Sequence, residues 1–217
     1  SSNGIEWKSL SELQVGDHVC ISRNQSEITT KDDFVSPEIS YFVGIMIGDG
    51  GYTMSHQFMF SNIDSYLINF FHRFCIDHFD RNPTRKRTRP CDYVVCSLAA
   101  RNTIKSWGLE QVNGECKKIP DIFLKASAKS QASLLRGLFD TDGWVEKKGI
   151  ICFLNKSITI CKQVQMMLLR LGIISRFKIA RKKYKGEIRE YGFITVLCSS
   201  IQKFSDVIGF NVEHKRL

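Results

Sequence analysis

A nine-residue phrase occurs twice in this chain, as Phe42-Val-Gly-Ile-Met-Ile-Gly-Asp-Gly50 and as Leu135-Arg-Gly-Leu-Phe-Asp-Thr-Asp-Gly143. Each copy sets an apolar run before a small residue and then Asp-Gly, which predicts a buried helix ending on a carboxylate, Asp49 or Asp142. Two such helices in one chain imply a pseudo-twofold arrangement.

The small residues say how the helices meet. Gly44 and Gly48 lie four apart and stack on one helix face, and Gly137 and Thr141 do the same in the second copy. That spacing lets two backbones approach closely, and it fixes the distance between the residues that follow their ends. Glycine inside a helix costs about 1 kcal/mol relative to alanine, so its use here calls for a packing reason. A lone Asp-Gly after a helix is most often an ordinary C-cap with glycine in the left-handed region. An acid at the C-terminal end of both helices, where the dipole disfavours negative charge, argues instead for a bound cation.

Outside the phrases the chain also repeats. Ser36-Pro37-Glu38 carries three signals for a helix start: a Ser N-cap, Pro in the first turn, and an early acid. Alternation predicts a strand over 52–61, with Tyr52, Met54, His56, Phe58 and Phe60 on one side. A Phe-rich helix over 64–78, a basic turn at 81–89, a strand over 93–98 and a short helix up to Gly108 complete the first unit. The second unit follows the same order: a helix over 131–141, a hairpin over 144–154, a helix over 157–171, a basic stretch at 176–185 flanking a hairpin with 191–198, and a last helix up to Gly209. Asp49 and Asp142 are 93 positions apart (142 minus 49), and such a period indicates internal duplication. The predicted fold class is α+β: two αββαββα repeats, 36–125 and 126–217, packed through their first helices and forming a saddle of antiparallel sheets. Residues 1–35 form an extension that reads as a short helix, a Val-Gly-Asp turn and a strand, followed by a polar linker.

Composition narrows the partners. Thirty-one Lys and Arg against 22 Asp and Glu give a net charge of +9. The excess gathers at Arg81 to Arg89 and at Arg176 to Arg189, matching places in the two units, which suggests a polyanion surface. No run approaches the roughly 20 apolar residues of a membrane span, and no leader-like segment is evident, so an intracellular, cytoplasmic protein without a membrane partner is expected. The eight cysteines form no C-x-x-C pair and read mainly as small buried hydrophobes, with Cys91 and Cys96 the nearest candidates for a disulfide.

The paired phrases resemble the LAGLIDADG motifs of homing endonucleases in their two-repeat, single-chain form, over roughly residues 36–217. The resemblance implies a metal-dependent, site-specific double-strand DNA endonuclease, a monomer with an internal pseudo-dimer. It makes Asp49 and Asp142 metal ligands, with the carbonyls of Gly48 and Thr141 beside them. The sixth motif position, often Asp, is Ile47 in one copy and Asp140 in the other, and it is not the ligand. Cys116-Lys-Lys-Ile-Pro120 resembles the Lys-x-Ile-Pro pattern of intein-type members. That makes Lys117 the basic residue of the first half, ahead of Lys118, and Lys215 its counterpart after Ile208-Gly-Phe210. Ser61 and Asn155, at the ends of equivalent strands, are candidates for positioning water. Val15-Gly-Asp-His-Val19 resembles the edge of an intein splicing domain, but the chain closes on Glu213-His-Lys-Arg-Leu217 without a terminal His-Asn, so splicing is not expected.

Oxygen ligands with open water positions suit Mg²⁺, with Mn²⁺ able to substitute. The lysines would offset charge at the scissile phosphates. No side chain suggests itself as general base, which leaves proton removal to water at the site. For recognition, Arg85, Lys86, Arg87, Arg89, Arg181, Lys183, Lys185 and Arg189 would reach phosphates and guanines, while Ser55, Gln57 and Tyr191 could read base edges. Because the two halves differ at nearly every strand position, the target should be long and only loosely palindromic. The competing readings are an RNA-splicing maturase that binds intron RNA, a DNA-binding protein without cleavage, and a polyanion-binding protein whose Asp-Gly pairs are mere caps.

Overall fold

The computed structural model describes residues 6–20, 35–52, 54–110, 112–184 and 186–216. Two αββαββα units follow one another. In the first, α1 (Pro37–Asp49) leads into β1 (Gly50–Gly51) and β2 (Gln57–Ser61), then α2 (Ser65–Phe79), β3 (Thr84–Arg85), β4 (Asp92–Cys96) and α3 (Leu98–Ser106). A short helix, α4 (Asp121–Leu124), precedes the second unit. That unit comprises α5 (Ala128–Asp142), β5 (Gly143–Val145), β6 (Ile151–Asn155), α6 (Ile158–Arg170), β7 (Ser175–Tyr184), β8 (Glu187–Val196) and α7 (Ile201–Val207). Each unit forms a four-stranded antiparallel sheet in the same order, β1-β2-β4-β3 and β5-β6-β8-β7.

The helix starts follow from side-chain capping. Ser36 Oγ accepts from Ile39 N at 3.2 Å with Pro37 in the first turn, and Asp64, Ser97, Ser127 and Ser157 cap their helices in the same way. Each cap satisfies donors that the helix itself leaves open. Buried residues on α1 run without a break from Ser40 to Ile47, because one flank packs on the first unit's core and the other on α5. The first core is dominated by aromatic rings: Phe42 stacks on Phe74 at 4.0 Å, with Phe58, Phe71, Phe79 and Trp107 around them. The second is built mainly from Leu, Ile, Val and Met around Phe139, Phe153 and Phe204.

The α1–α5 crossing is as close as the small residues allow. A Cβ at Gly44 would overlap the Leu134 carbonyl oxygen and stand 3.1 Å from Gly137 Cα, and one at Gly137 would stand 2.5 Å from the Tyr41 carbonyl oxygen. One turn further on, the space a Cβ would need at Gly48 is taken by the Thr141 side chain.

Three segments depart from the sequence expectation. The strand predicted over 52–61 holds only at 57–61, so Met54 and His56 are exposed instead of sharing a buried face with Phe58 and Phe60. The reason is the buried Arg101, whose guanidinium donates to the carbonyls of Tyr52 and Met54 at 2.9 and 3.2 Å. Those acceptors are therefore satisfied without a ladder. The basic stretch does not flank a hairpin; residues 175–184 are one strand of it, paired along their full length with β8. Within the extension, residues 10–12 form a single 3₁₀ turn closed by a Ser9–Glu12 capping box, and Asp17 Oδ2 accepts from Gln14 N. None of the described residues 6–20 pairs into a sheet, so the expected strand is not formed there. The polar linker expected at 22–33 and the cation Lys185 lie outside the described residues.

Candidate active site at the ends of the paired helices

Asp49 and Asp142 are the last residues of α1 and α5. The glycine after each is extended, Gly50 at φ −84° and ψ 145°, Gly143 at φ −92° and ψ 162°. Neither has the left-handed geometry of an ordinary helix cap. A Cβ at Gly50 would press on Met46 backbone, and one at Gly143 on Phe139 backbone. Glycine is thus required because the chain turns tightly from helix into strand.

Each carboxylate is held the same way. Asn62 Nδ2 donates to Asp49 Oδ2 at 2.7 Å, and Asn155 Nδ2 donates to Asp142 Oδ2 at 2.7 Å. Each asparagine is itself fixed, its Oδ1 accepting from the N–H two residues on, Asp64 at 2.7 Å and Ser157 at 2.8 Å. The counterpart of Asn155 is therefore Asn62, not Ser61. Ser61 lies one residue earlier, on the opposite face of the strand, and donates to Asp92 Oδ1 at 2.7 Å. Sequence reasoning passes over Asn62, although the 93-residue period leads from Asn155 directly to it.

Lys117 Nζ donates to the carbonyls of Ile47 and Gly50 at 2.9 and 3.0 Å. Lys215 Nζ donates to Phe139, Asp140 and Thr141 at 3.4, 2.6 and 3.2 Å. Both ammonium groups thus sit on the negative ends of the paired helices, where a cation is favoured. Lys117 also lies 5.2 Å from the Tyr52 ring centroid, while Lys118 is exposed. The first lysine is shared between the units: Ser157 Oγ, from the second, donates to the Lys117 carbonyl at 2.6 Å. Of the two carbonyls expected beside the acids, that of Thr141 accepts from Lys215, and Gly48 lies against the Thr141 side chain.

Burial lifts the Asp142 carboxyl to about 7, and the Asp49 carboxylate adds to the rise; Asn155 and the two lysines oppose it. Burial also raises Asp49, against Asn62, Lys215 and Lys117. Burial lowers both lysines; Asp142 and Asp49 counter it at Lys117, and Asp140, Asp49 and Asp142 counter it at Lys215. Each acid therefore feels the charge of both lysines, and each lysine that of both acids. Among the described residues no group of three His, Cys, Asp or Glu gathers that could hold a metal. The donor set is instead two hard carboxylates whose mutual repulsion a dication would relieve, which fits an oxygen-loving divalent ion.

Asp140 takes no part in that set. It is buried, accepts from Tyr41 Oη at 2.6 Å and from the N–H groups of Asn211 and Val212 at 3.1 and 3.4 Å, and ties α1, α5 and the C-terminal segment together.

The residues expected to touch nucleic acid spread over the outer parts of both sheets. Gln57 and Tyr191 stand on strands, and Ser55 lies on the exposed bend before β2. Arg85 Nε donates to the Pro90 carbonyl at 2.6 Å, Lys86 Nζ lies 3.7 Å from Met59 Sδ, Arg87 is exposed, and Arg89 pairs with Asp92 at 3.6 Å. Arg181 pairs with Glu190 at 3.1 Å and Arg189 with Glu187 at 3.0 Å, while Lys183 is exposed on β7. The cysteines among the described residues are free thiols. Cys91 Sγ donates to Asp92 and Cys96 Sγ to Gln57, so the disulfide considered for that pair is not formed. No helix among the described residues is long and apolar enough to cross a membrane.

Fold and site together define a pseudo-dimeric α+β protein that brings one acid from each half to a shared helix pair. The family model of the LAGLIDADG-like domain matches residues 129–209. In fold the chain is similar to the homing endonuclease I-DmoI, with a TM-score of 0.59, 18% identity, and coverage of 80% of this chain and 95% of that one. A structure of I-DmoI in complex with DNA and Mn matches as well, at 0.59 and 17% over 80% and 96% of the two chains. Residues 129–209 thus carry a LAGLIDADG-like domain, and the chain as a whole shares the fold of the I-DmoI structures. Among curated proteins it is 29% identical over 216 residues to the replication factor C small subunit of Methanocaldococcus jannaschii. It is 25% identical over 201 residues to the replicative DNA helicase DnaB of Rhodothermus marinus. Those matches cover 97% and 84% of this chain but only 11% and 21% of the relatives' own lengths.

Proposed function

We propose that this chain is a site-specific endonuclease that hydrolyses one phosphodiester bond in each strand of duplex DNA at a long, loosely palindromic target. It acts as a monomer whose repeats, 36–125 and 126–217, serve as an internal pseudo-dimer, with residues 1–35 as an extension. The observation that carries this reading is the twofold-related pair Asp49 and Asp142, each fixed by an asparagine at 2.7 Å and each followed by an extended glycine. Two acids kept together against burial and mutual repulsion make sense when they hold a shared ligand of opposite charge.

Asp49 and Asp142 would hold the divalent ion, with Mg²⁺ preferred and Mn²⁺ able to substitute. When bound, the ion supplies charge compensation at the scissile phosphate and makes water a better nucleophile. Asn62 and Asn155 orient the carboxylates, and they keep Oδ2 of each turned toward its own strand. Lys117 and Lys215 add positive charge beside the acids, where the phosphates of the two strands would lie.

The test is cleavage of a target recovered by selection from a random plasmid library. Linearisation should require Mg²⁺ or Mn²⁺ and should fall about 10³-fold or more in Asp49→Asn and Asp142→Asn, as loss of several kcal/mol of metal assistance implies, with binding in Ca²⁺ retained. One observation favours a second reading, a nucleic-acid-binding protein or RNA maturase that does not cut. Both lysine ammonium groups are already occupied by main-chain carbonyls. Tight binding of DNA or intron RNA, with no cleavage in either metal, would establish that reading.

A further inference from the structure

The two sheets also differ on the faces turned away from the helices. Directly opposed residues of an antiparallel sheet project to the same side, and the side alternates along each strand. In the second sheet Phe153 pairs with Ile194, and both are fully buried against the helices. The rows on either side therefore face outward. One holds Trp144, Cys152, Thr195 and Arg176; the other holds Leu154, Phe193 and Lys178. Trp144, Leu154 and Phe193 are half-buried, and the two rings lie 5.7 Å apart. Lys178 Nζ stands 4.7 Å from the Phe193 ring centroid.

The same positions in the first sheet have another chemistry. Shifting by the 93-residue period and following the register replaces Trp144 with Gly51, Leu154 with Ser61 and Phe193 with Asp92. Where the second sheet has an aliphatic-aromatic pair, the first has the Ser61–Asp92 hydrogen bond of 2.7 Å.

We propose that Trp144, Leu154 and Phe193 form an apolar plate that recognises the 5-methyl groups of pyrimidines, thymine above all, in the half-site under the second repeat. The proposal rests on the duplex-DNA reading above. The thymine methyl is the one apolar group that base pairs present in the major groove, so a plate whose lone polar atom is the Trp144 indole N–H finds its main partner there. Exposed cations border the plate, Arg176 and Lys178 among them. With Thr195 and Leu197 they line a shallow depression of about 220 Å³, where phosphates or guanine edges can be met while the plate covers methyls. RNA carries uracil in place of thymine and offers the plate no such group. The first repeat has Ser61, Asp92 and Lys86 at the matching places, with Met59 and Val94 in the neighbouring outward row, so it lacks the aromatic plate and depends less on methyls.

The test uses a duplex selected for binding from a random pool, with metal replaced by Ca²⁺. The half-sites are assigned by hydroxyl-radical footprints of the wild type and of a variant lacking Arg181 and Lys183, which loses protection at one outer edge. Replacing dT by dU in one half at a time should weaken binding about fourfold per methyl under the second repeat, and less than twofold under the first. In Leu154→Ser the dependence should shrink, which separates methyl contact from a change in DNA shape. Equal sensitivity of both halves, no sensitivity, or a selected second half-site without thymine would overturn the proposal while leaving the endonuclease reading intact. Failure to select any duplex would overturn both.

Discussion

The two repeats are alike at the helix pair and unlike almost everywhere their surfaces meet solvent. Gly44 faces Gly137, Asp49 matches Asp142, Asn62 matches Asn155, and Lys117 and Lys215 each cap the end of a motif helix. Away from that axis, β3 has two residues where β7 has ten, one core is aromatic and the other largely aliphatic, and Ile47 stands where Asp140 binds Tyr41. Geometry explains the division. A position on the twofold axis contacts its own counterpart, so a change there is felt by both halves, whereas the sheets meet different partners and are free to differ.

The largest expected effect comes from breaking the shared axis. Gly137→Leu would drive a side chain into the Tyr41 carbonyl and the Ile45 amide, both backbone and unable to yield. It should cost roughly 3 kcal/mol or more, the upper end of overpacking penalties, and thermal denaturation should show a non-native or much less stable protein. Gly51→Ala off the axis should cost little, because only the flexible Met59 side chain stands nearby.

The asparagines come next. Asn62→Ala and Asn155→Ala should each lower the cleavage rate about tenfold, or by roughly 1.4 kcal/mol of lost orientation, with DNA affinity in Ca²⁺ unchanged. Equal losses would support one site divided between two strands. A loss confined to one variant, with nicked product accumulating, would show that the halves cut independently.

Much of this helix pair is legible in the amino-acid sequence, and the reason is periodicity. Gly44, Gly48, Gly137 and Thr141 announce a close helix crossing, because small residues at a four-residue spacing have little other use. The acids stand out because two helices end the same way. What stays hidden depends on contacts distant in sequence. Arg101 satisfies the carbonyls of Tyr52 and Met54 from about 50 positions away, so no local pattern can reveal that the strand starts at Gln57. The β7 ribbon is hidden for another reason: a run of Arg and Lys reads as a solvated stretch beside the hairpin, yet it pairs with β8 through its backbone. Asn62 is within reach of the 93-residue period, which carries Asn155 onto it, whereas Ser61 at the strand end bonds to Asp92.

Acid–base linkage gives a smaller, separate contrast between the halves. The folded Asp142 carboxyl is raised to about 7 from an ordinary value near 3.8. Folding therefore takes up protons, and the stability this group contributes is full below about pH 4 and lost as pH rises through 7. Metal-free protein should accordingly melt at falling temperature from pH 5 to 8. Asp142→Asn should flatten that slope more than Asp49→Asn, and Mg²⁺ should reverse it by favouring the ionised pair.

The smallest effect concerns the long ribbon against the short one. Arg176 and Lys178 are exposed on β7 at the margin of the second sheet's outer face, whereas Thr84 and Lys86 occupy the matching places in the first. If each β7 cation neutralises a single phosphate, removing it should weaken binding alike for all sequences and reduce the slope of log affinity against log salt by about one. Lys178→Met keeps the stem that covers Phe193 while deleting the charge, so its loss should be electrostatic alone and should vanish at high salt. Lys178→Ala removes the cover as well and should alter discrimination at the neighbouring base pair. A salt slope unchanged in both variants would mean that the second sheet meets DNA through its apolar centre and not through its basic edge.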